Sequence, residues 1–445
     1  MRRWAALIVC VALVAAACGD DADDGSAPPA EPAATAEEAP AEAEEATAPA
    51  VDDGATQETT APAEDDGTTE EAPAPAEDAT DDGAAAEEPA ADAEPSEEMA
   101  AEEPSDSMAV DLSGACPDPL VLQTDWFPSP EHGYAYRLIG DAGELDSENG
   151  IYRGPLLDTG IDLEIRAGGP YLGFAPTTAT MQLDEGIHFG YVNTDEQIAA
   201  WHVVPTVAVA APFDTNPQIL MWGPEAYSFS SFEDIGQSDA VVVYFAGGVF
   251  IDYMVDAGIL RADQVDPSYN GAPARFVAEG GAIVQQGFAT SEPWLYENAL
   301  EEWGKPVDFL LIHDSGFEIY AQPLVVRAEV LEELRPCLEL VVPVFQQAVI
   351  DHYADPGPTD AVILQIVEDL ASFWVLYPGQ MEYSSATALA LGNVGNGPDD
   401  IVGNMDEARM ERVTQLLKDV LEGVPQDIEA SDIYTNEFID PSIGF

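Results

Sequence analysis

The sequence predicts an α/β fold of two lobes with a cleft between them, preceded by a long acidic tail that does not fold. Two observations carry the fold class: strand-like apolar runs alternate with helical stretches from Leu120 onward, and short loops join them. A third sets the number of lobes. The part of the chain with this texture, roughly 330 residues, is long enough for two separate cores. In largely parallel sheets ligands sit at the C-terminal ends of the strands, near helix N-termini, so a cleft between two lobes is the expected site.

The start of the chain, residues 1–18, reads as a signal peptide. Arg2 and Arg3 form a charged start, Trp4 to Val14 an apolar run too short to span a bilayer, and Ala15-Ala16-Ala17-Cys18 a small-residue exit. Cys18 directly after that run resembles a bacterial lipobox, whose cysteine is lipidated, although Ala15 stands where Leu is usual. Residues 19–111 follow as a disordered acidic tether. From Gly19 to Met108 there is no Lys, Arg, Ile or aromatic residue, so this stretch cannot bury enough apolar surface to offset chain entropy. Proline and mutual repulsion keep it extended.

Strands are expected at Leu120–Asp125, Ile161–Arg166, His188–Val192, Thr206–Ala211, Ala240–Phe245, Val284–Ala289, Phe309–His313 and Ile319–Val326. The first ends in the rigid turn Trp126-Phe127-Pro128-Ser129-Pro130, with a helical stretch from Glu131 to Ile139. Thr194 with Gln197 reads as a capping box that starts a helix. A helix follows Gly247-Gly248, and another starts at Pro293 with Glu292 at its N-cap. The C-terminal third is helical: Leu331–Tyr353, Ala361–Phe373 and Asp406–Glu422, the last capped by Asn404 and closed at Gly423.

Charge narrows the function. The chain has 13 Lys+Arg against 85 Asp+Glu, a formal net charge of -72. That excess rules out nucleic acid as a partner and disfavours a polyanionic substrate. There is no Walker A sequence, metal-ligand motif, G-x-S-x-G or dinucleotide fingerprint, so no cofactor or metal is assigned. Past Cys18 only Cys116 and Cys337 lie in the part expected to fold, and an even pair in an exported protein suggests a disulfide.

The stretch from Thr124 to His132 resembles the opening of the SsuA/THI5-like periplasmic-binding family. The resemblance continues through Asp162–Pro170, Ser231–Asp234, Gln285–Trp294 and Ile433–Phe438. It implies a type 2 periplasmic-binding-protein fold, with one lobe from residues 112–217 and 313–445 and the other from residues 218–312. It also implies a non-enzymatic, monomeric, extracytoplasmic binding protein that delivers a small molecule to the permease and ATPase subunits of an ABC importer, held to the membrane by its lipid anchor. The resemblance is especially to members associated with thiamine pyrimidine precursors and related heterocycles, so the expected ligand is such a precursor or a similar nutrient such as riboflavin. Sulfonate, taurine or nitrate binding is the rival within the class; those anions would want Arg or Lys, which are scarce here. The rival of another class is a pyrimidine synthase like the yeast relatives. His132 falls where those carry a histidine that donates its own ring atoms, but their iron-binding Cys-rich run has no counterpart near His313–Tyr320.

Seven residues are candidates for the ligand side. Trp126 offers an indole face for a planar ring, or packs under its turn. Glu292, a poor N-cap residue, is free to accept from an exocyclic amine or pair with a cation, or else it is a solvated acid at a helix start. His132 touches ligand or caps its helix, and Tyr136, one turn on, lines the same wall or packs in the core. Asp195 and Phe245 open the two segments whose backbone N–H groups could face ligand. Trp294 ends the Gln285–Trp294 stretch shared with the family.

Overall fold

The computed structural model describes residues 110–445; residues 1–18, Cys18 among them, and all of the tether but its last two residues lie outside the described residues. Strands β1 (Leu120–Gln123), β2 (Glu144–Asp146), β3 (Ile151–Pro155), β4 (Asp162–Arg166), β5 (Phe189–Tyr191) and β6 (Thr206–Ala210) come first. They are followed by β7 (Gln218–Trp222), β8 (Val242–Val243), β9 (Val265–Asp266), β10 (Val284–Phe288) and β11 (Asp308–Leu311), and the chain then returns for β12 (Leu324–Arg327). One sheet has the order β2-β3-β4-β1-β5-β12-β6 and the other β11-β7-β10-β8-β9.

The two sheets share one plan. In the first, β1 pairs in parallel with β4 and β5, and β12 enters antiparallel between β5 and β6. In the second, β8 pairs in parallel with β9 and β10, and β7 enters antiparallel between β10 and β11. Each sheet therefore takes in, antiparallel, the strand that has just crossed from the other lobe, and the first sheet adds the antiparallel strand β3 between β2 and β4. Two α/β lobes exchanging a strand through two crossovers is the type 2 periplasmic-binding-protein fold. The sheets are mixed rather than purely parallel because of those crossing strands and, in the first sheet, the β2–β3 hairpin.

Apolar alternation set most of these elements. The buried Leu120, Leu122, Leu163 and Ile165 face a core built with Val341, Phe345 and Val349 of the helix Leu331–Ala354. Ile219, Met221 and Val243 form the second lobe's own cluster with Phe276, Tyr296 and Trp303. Cys116 and Cys337 are joined by a disulfide, 221 residues apart in sequence, which ties the segment before β1 to that long helix.

Three expected caps differ. Asn193, not Thr194, is the N-cap of the helix Thr194–Ala200. The Thr194 hydroxyl instead donates to Tyr320 O (3.3 Å) and accepts from Tyr320 N (3.2 Å), because a tertiary neighbour offers it both partners. Asp406, not Asn404, caps the helix Glu407–Val420, its carboxylate accepting from Arg409 N at 2.7 Å. Ser291, not Glu292, is the N-cap of the helix Glu292–Asn298, with Glu292 one position inside. The expected strand Phe309–His313 turns into a 3-10 helix at Ile312, and the helix expected to reach Phe373 stops at Leu370, where Ala371 takes a left-handed conformation (φ 48°).

One buried side chain braces both crossovers. Arg409 donates to Asp214 O on the β6–β7 crossover and to Glu318 O (2.6 Å) and Ile319 O (2.9 Å) on the β11–β12 crossover. Its guanidinium lies 3.7 Å from the centre of the Tyr320 ring, and the Tyr320 hydroxyl accepts from Asp406 N at 2.8 Å. The start of the helix Glu407–Val420 thus braces both crossovers from one side.

Candidate functional site

The cleft can be located from contacts between the lobes. At the C-terminal end of β10, the Thr290 hydroxyl donates to Glu131 Oε1 of the first lobe (2.6 Å), and Ser291 Oγ accepts from Gln380 Nε2 of the helix Pro378–Ala390 (2.9 Å). Because β8, β9 and β10 are parallel, the segments following all three lie along the edge of lobe two that turns toward lobe one. Glu131 likewise follows β1, whose C-terminal edge it shares with β4 and β5.

On the first lobe the site is built around Asp125. Gln322 Nε2 donates to both of its carboxylate oxygens (3.0 and 2.9 Å), and His132 Nε2 lies 2.9 Å from Oδ1. The Gln322 backbone N–H donates to Asn193 Oδ1 at 2.8 Å, so the ends of β1 and β5 and the entry to β12 are linked through one glutamine. Gln322 holds φ 52°, a left-handed conformation that costs a residue with a side chain of the order of 1–3 kcal/mol. His132 is fully buried, with its ring 5.3 Å from that of Tyr191. Its ring is covered by the fold, and the atom it turns toward Asp125 is Nε2.

Trp126 is half-buried in an aromatic cluster. Its ring centre lies 5.9 Å from Phe174 and 6.0 Å from Trp374, and Trp374 is anchored by its indole N–H to Pro128 O (3.0 Å). The loop after β4 closes over this turn at Gly168 and Gly169, whose N–H groups donate to Trp126 O (2.9 Å) and Asp125 O (3.1 Å). A Cβ on Gly168 would meet Thr124 O at 2.3 Å, so only glycine allows that approach. Phe174 (63% exposed) and Phe373 (72% exposed) complete the rim.

Carboxylates surround this surface. Asp195 and Glu196 open the helix after β5; Glu196 Oε1 accepts from Thr178 N and Thr178 Oγ1, both at 2.9 Å. Burial pushes Asp195 up to about 6 and Glu196 up to about 7, the latter with help from neighbouring Asp195 and Asp125. On lobe two, Glu292 Oε2 accepts from Phe288 N at 2.7 Å, and Gly287 leaves room for the carboxyl, since a Cβ there would come within 3.2 Å of it. Burial, and then the charge of Glu131, raise Glu292 to about 7. Each of these acids is pushed up because its charge is incompletely solvated, so a donor or cation placed beside it is favoured.

The remaining expected residues fall in different places. Phe245 is at the end of β8, 37% exposed, with its ring 4.8 Å from Tyr269 and its N–H donating to Gln286 Oε1 (3.0 Å). Trp294 packs against Tyr377 (5.7 Å) and over Gly379, in the contact between lobes. Tyr136 does not line the cleft wall; it is buried in the core against Tyr152 (5.9 Å), because its helix turns that face toward the β2–β3 hairpin. Glu131, Glu196, Phe174, Trp374 and Gln322 were not singled out in the sequence. Among the described residues no group of three metal-ligating side chains is clustered, and no helix is long and apolar enough to cross a membrane.

No family model and no curated protein matches this chain. Among solved structures, it is similar to a protein from Bordetella bronchiseptica RB50, at 12% identity over 72% of this chain and 96% of that one, with a TM-score of 0.47. It is also similar to the alkanesulfonate-binding protein SsuA from Xanthomonas axonopodis pv. citri bound to MOPS, at 13% identity over 72% of this chain and 99% of that one, TM-score 0.46. The periplasmic aliphatic sulphonate-binding protein SsuA from Escherichia coli gives 12% identity over 71% of this chain and 92% of that one, TM-score 0.44. Likenesses at this level carry no argument about ligand.

Proposed function

We propose that this protein is an extracytoplasmic substrate-binding protein of an ABC importer, and that it captures a small aromatic heterocycle bearing N–H donors by closure of its two lobes. One observation carries the choice of ligand. The cleft edges present Asp125, Glu131, Asp195, Glu196 and Glu292, while all eleven Lys and Arg residues of the described part donate to acceptors of the chain itself. Among the described residues no Lys or Arg pairs with any of these five carboxylates, so the surface they form favours a ligand that brings donors over one that brings negative charge. A thiamine pyrimidine precursor, with its exocyclic amine, or riboflavin has the matching chemistry. Trp126 supplies the stacking face and Glu292 reads the polar edge. Lipidation of Cys18 holds the monomeric protein at the membrane, beside separate permease and ATPase chains.

A thermal-shift panel of the full chain against thiamine pyrimidine, riboflavin, taurine and nitrate tests this. Stabilisation by a heterocycle and not by the anions is expected; stabilisation by taurine or nitrate alone overturns it. Cys18→Ala should abolish membrane attachment without altering affinity, and a variant that is processed and pellets like the parent contradicts the anchor.

A further inference from the structure

We propose that the ligand is gripped on both ring faces, by the pair Trp126–Phe174 of one lobe and the pair Phe245–Tyr269 of the other, so that the substrate class is a flat conjugated ring with both faces bare. This rests on the cleft being the ligand site, as proposed above.

The two lobes repeat one topology, and the repeat places the aromatic pairs in corresponding positions. Lobe one runs β4-β1-β5-β12-β6 and lobe two β9-β8-β10-β7-β11, so β1 corresponds to β8 and β4 to β9. Trp126 follows β1 and Phe245 follows β8. Phe174 lies between β4 and the next α-helix, Thr177–Leu183, just past the 3-10 turn Gly169–Leu172, and Tyr269 lies between β9 and the next α-helix, Ala274–Ala278. Within each lobe the two rings touch, at 5.9 Å for Trp126–Phe174 and 4.8 Å for Phe245–Tyr269.

Both pairs stand at the C-terminal edges that face across the cleft, and neither is buried by its own lobe. Phe174 and Phe245 are exposed, and Trp126 and Tyr269 are half-buried. Phe245 is fixed by its backbone bond to Gln286 on β10, the strand that leads directly to the interlobe contact at Thr290. Phe174 is held in a left-handed conformation (φ 62°) after Gly173. Apart from its contact with Trp126 this ring is open to solvent, and a large exposed aromatic held in a costly backbone region points to a surface it meets on closure. Rings on both sides of a planar ligand each add stacking beyond area burial, and a saturated ring with axial hydrogens cannot approach either face as closely.

Calorimetric titration of the full chain with thiamine pyrimidine and with riboflavin tests the grip. Trp126→Leu, Phe245→Leu and Tyr269→Leu keep apolar bulk but remove the ring face. Each should weaken binding of the planar probe about three- to tenfold, and Phe245→Tyr should restore parental affinity. If Trp126→Leu weakens binding while both lobe-two variants bind like the parent, the ring is stacked on one face only; the proposal falls and the cleft reading stands. If neither probe binds the parent protein, the cleft reading falls and takes the proposal with it.

Discussion

At about pH 8, Glu292→Gln should make the ligand-free protein more stable rather than less. The Glu292 carboxyl has a reference value of 4.5 and is raised to about 7, chiefly by burial. Below the reference value the group is protonated in folded and unfolded chains alike, and it contributes no penalty. Between 4.5 and about 7 the folded protein keeps the proton while the unfolded chain releases it, so stability falls as pH rises, and above about 7 the penalty is complete. At about 1.4 kcal/mol per pH unit the ceiling is roughly 3 kcal/mol, and partial solvent contact brings the expectation to about 1–2 kcal/mol. Glutamine keeps the size and still accepts from Phe288 N–H, so only the charge is lost. Urea denaturation of parent and variant at about pH 4.5 and about pH 8 reads the difference, which should be near zero at the lower pH and favour the variant at the higher. A gap of equal size at both pH values, or a variant that is weaker at the higher pH, refutes the assignment of an under-solvated carboxyl.

Two further perturbations act away from the ligand. Arg409→Met strips the donors from Asp214 O, Glu318 O and Ile319 O, and should cost about 3 kcal/mol or more with a broader small-angle scattering profile from loosened lobes; a loss below about 1 kcal/mol would show that the crossovers hold without it. Reduction of Cys116–Cys337 reopens a link between residues 221 apart and should lower stability by up to about 4–5 kcal/mol in chain-entropy terms. Denaturation curves that coincide with and without reductant contradict that.

Much of the fold was legible because its strands are short apolar runs bounded by turn residues. Leu120–Gln123, Thr206–Ala210 and Val284–Phe288 all fall within their expected ranges. The hairpin of β2 and β3 escaped notice because its residues alternate between exposed and covered at a sheet edge, with few large apolar side chains. The helix Pro378–Ala390 was missed because Ser, Thr and Ala give it a weak apolar face, although it carries Gln380 and Gly379 into the contact between lobes. Trp126 and Glu292 drew notice from their turn and helix-start settings, and they stand in the candidate cleft as proposed ligand residues. The Asp125–Gln322 pair was not, since 197 residues separate the partners and no local pattern marks a glutamine that bonds both oxygens of a distant acid. The caps at Thr194 and Glu292 were misplaced by one residue for a shared reason: each side chain takes a tertiary partner or an upstream N–H in place of the helix end.

The sign of proton exchange on binding tests the central claim most directly. Asp195 is raised to about 6 and Glu196 and Glu292 to about 7, so near pH 6.5 the ligand-free cleft holds part of their protons. A ligand that donates N–H groups or carries positive charge favours the ionised carboxylates and must expel those protons; an anion must draw more in. Calorimetric titration near pH 6.5 with thiamine pyrimidine, in two buffers of different ionisation enthalpy, counts them. Net proton release on binding is the predicted result, and net uptake, or tight binding of taurine with uptake, would contradict a donor-selecting cleft.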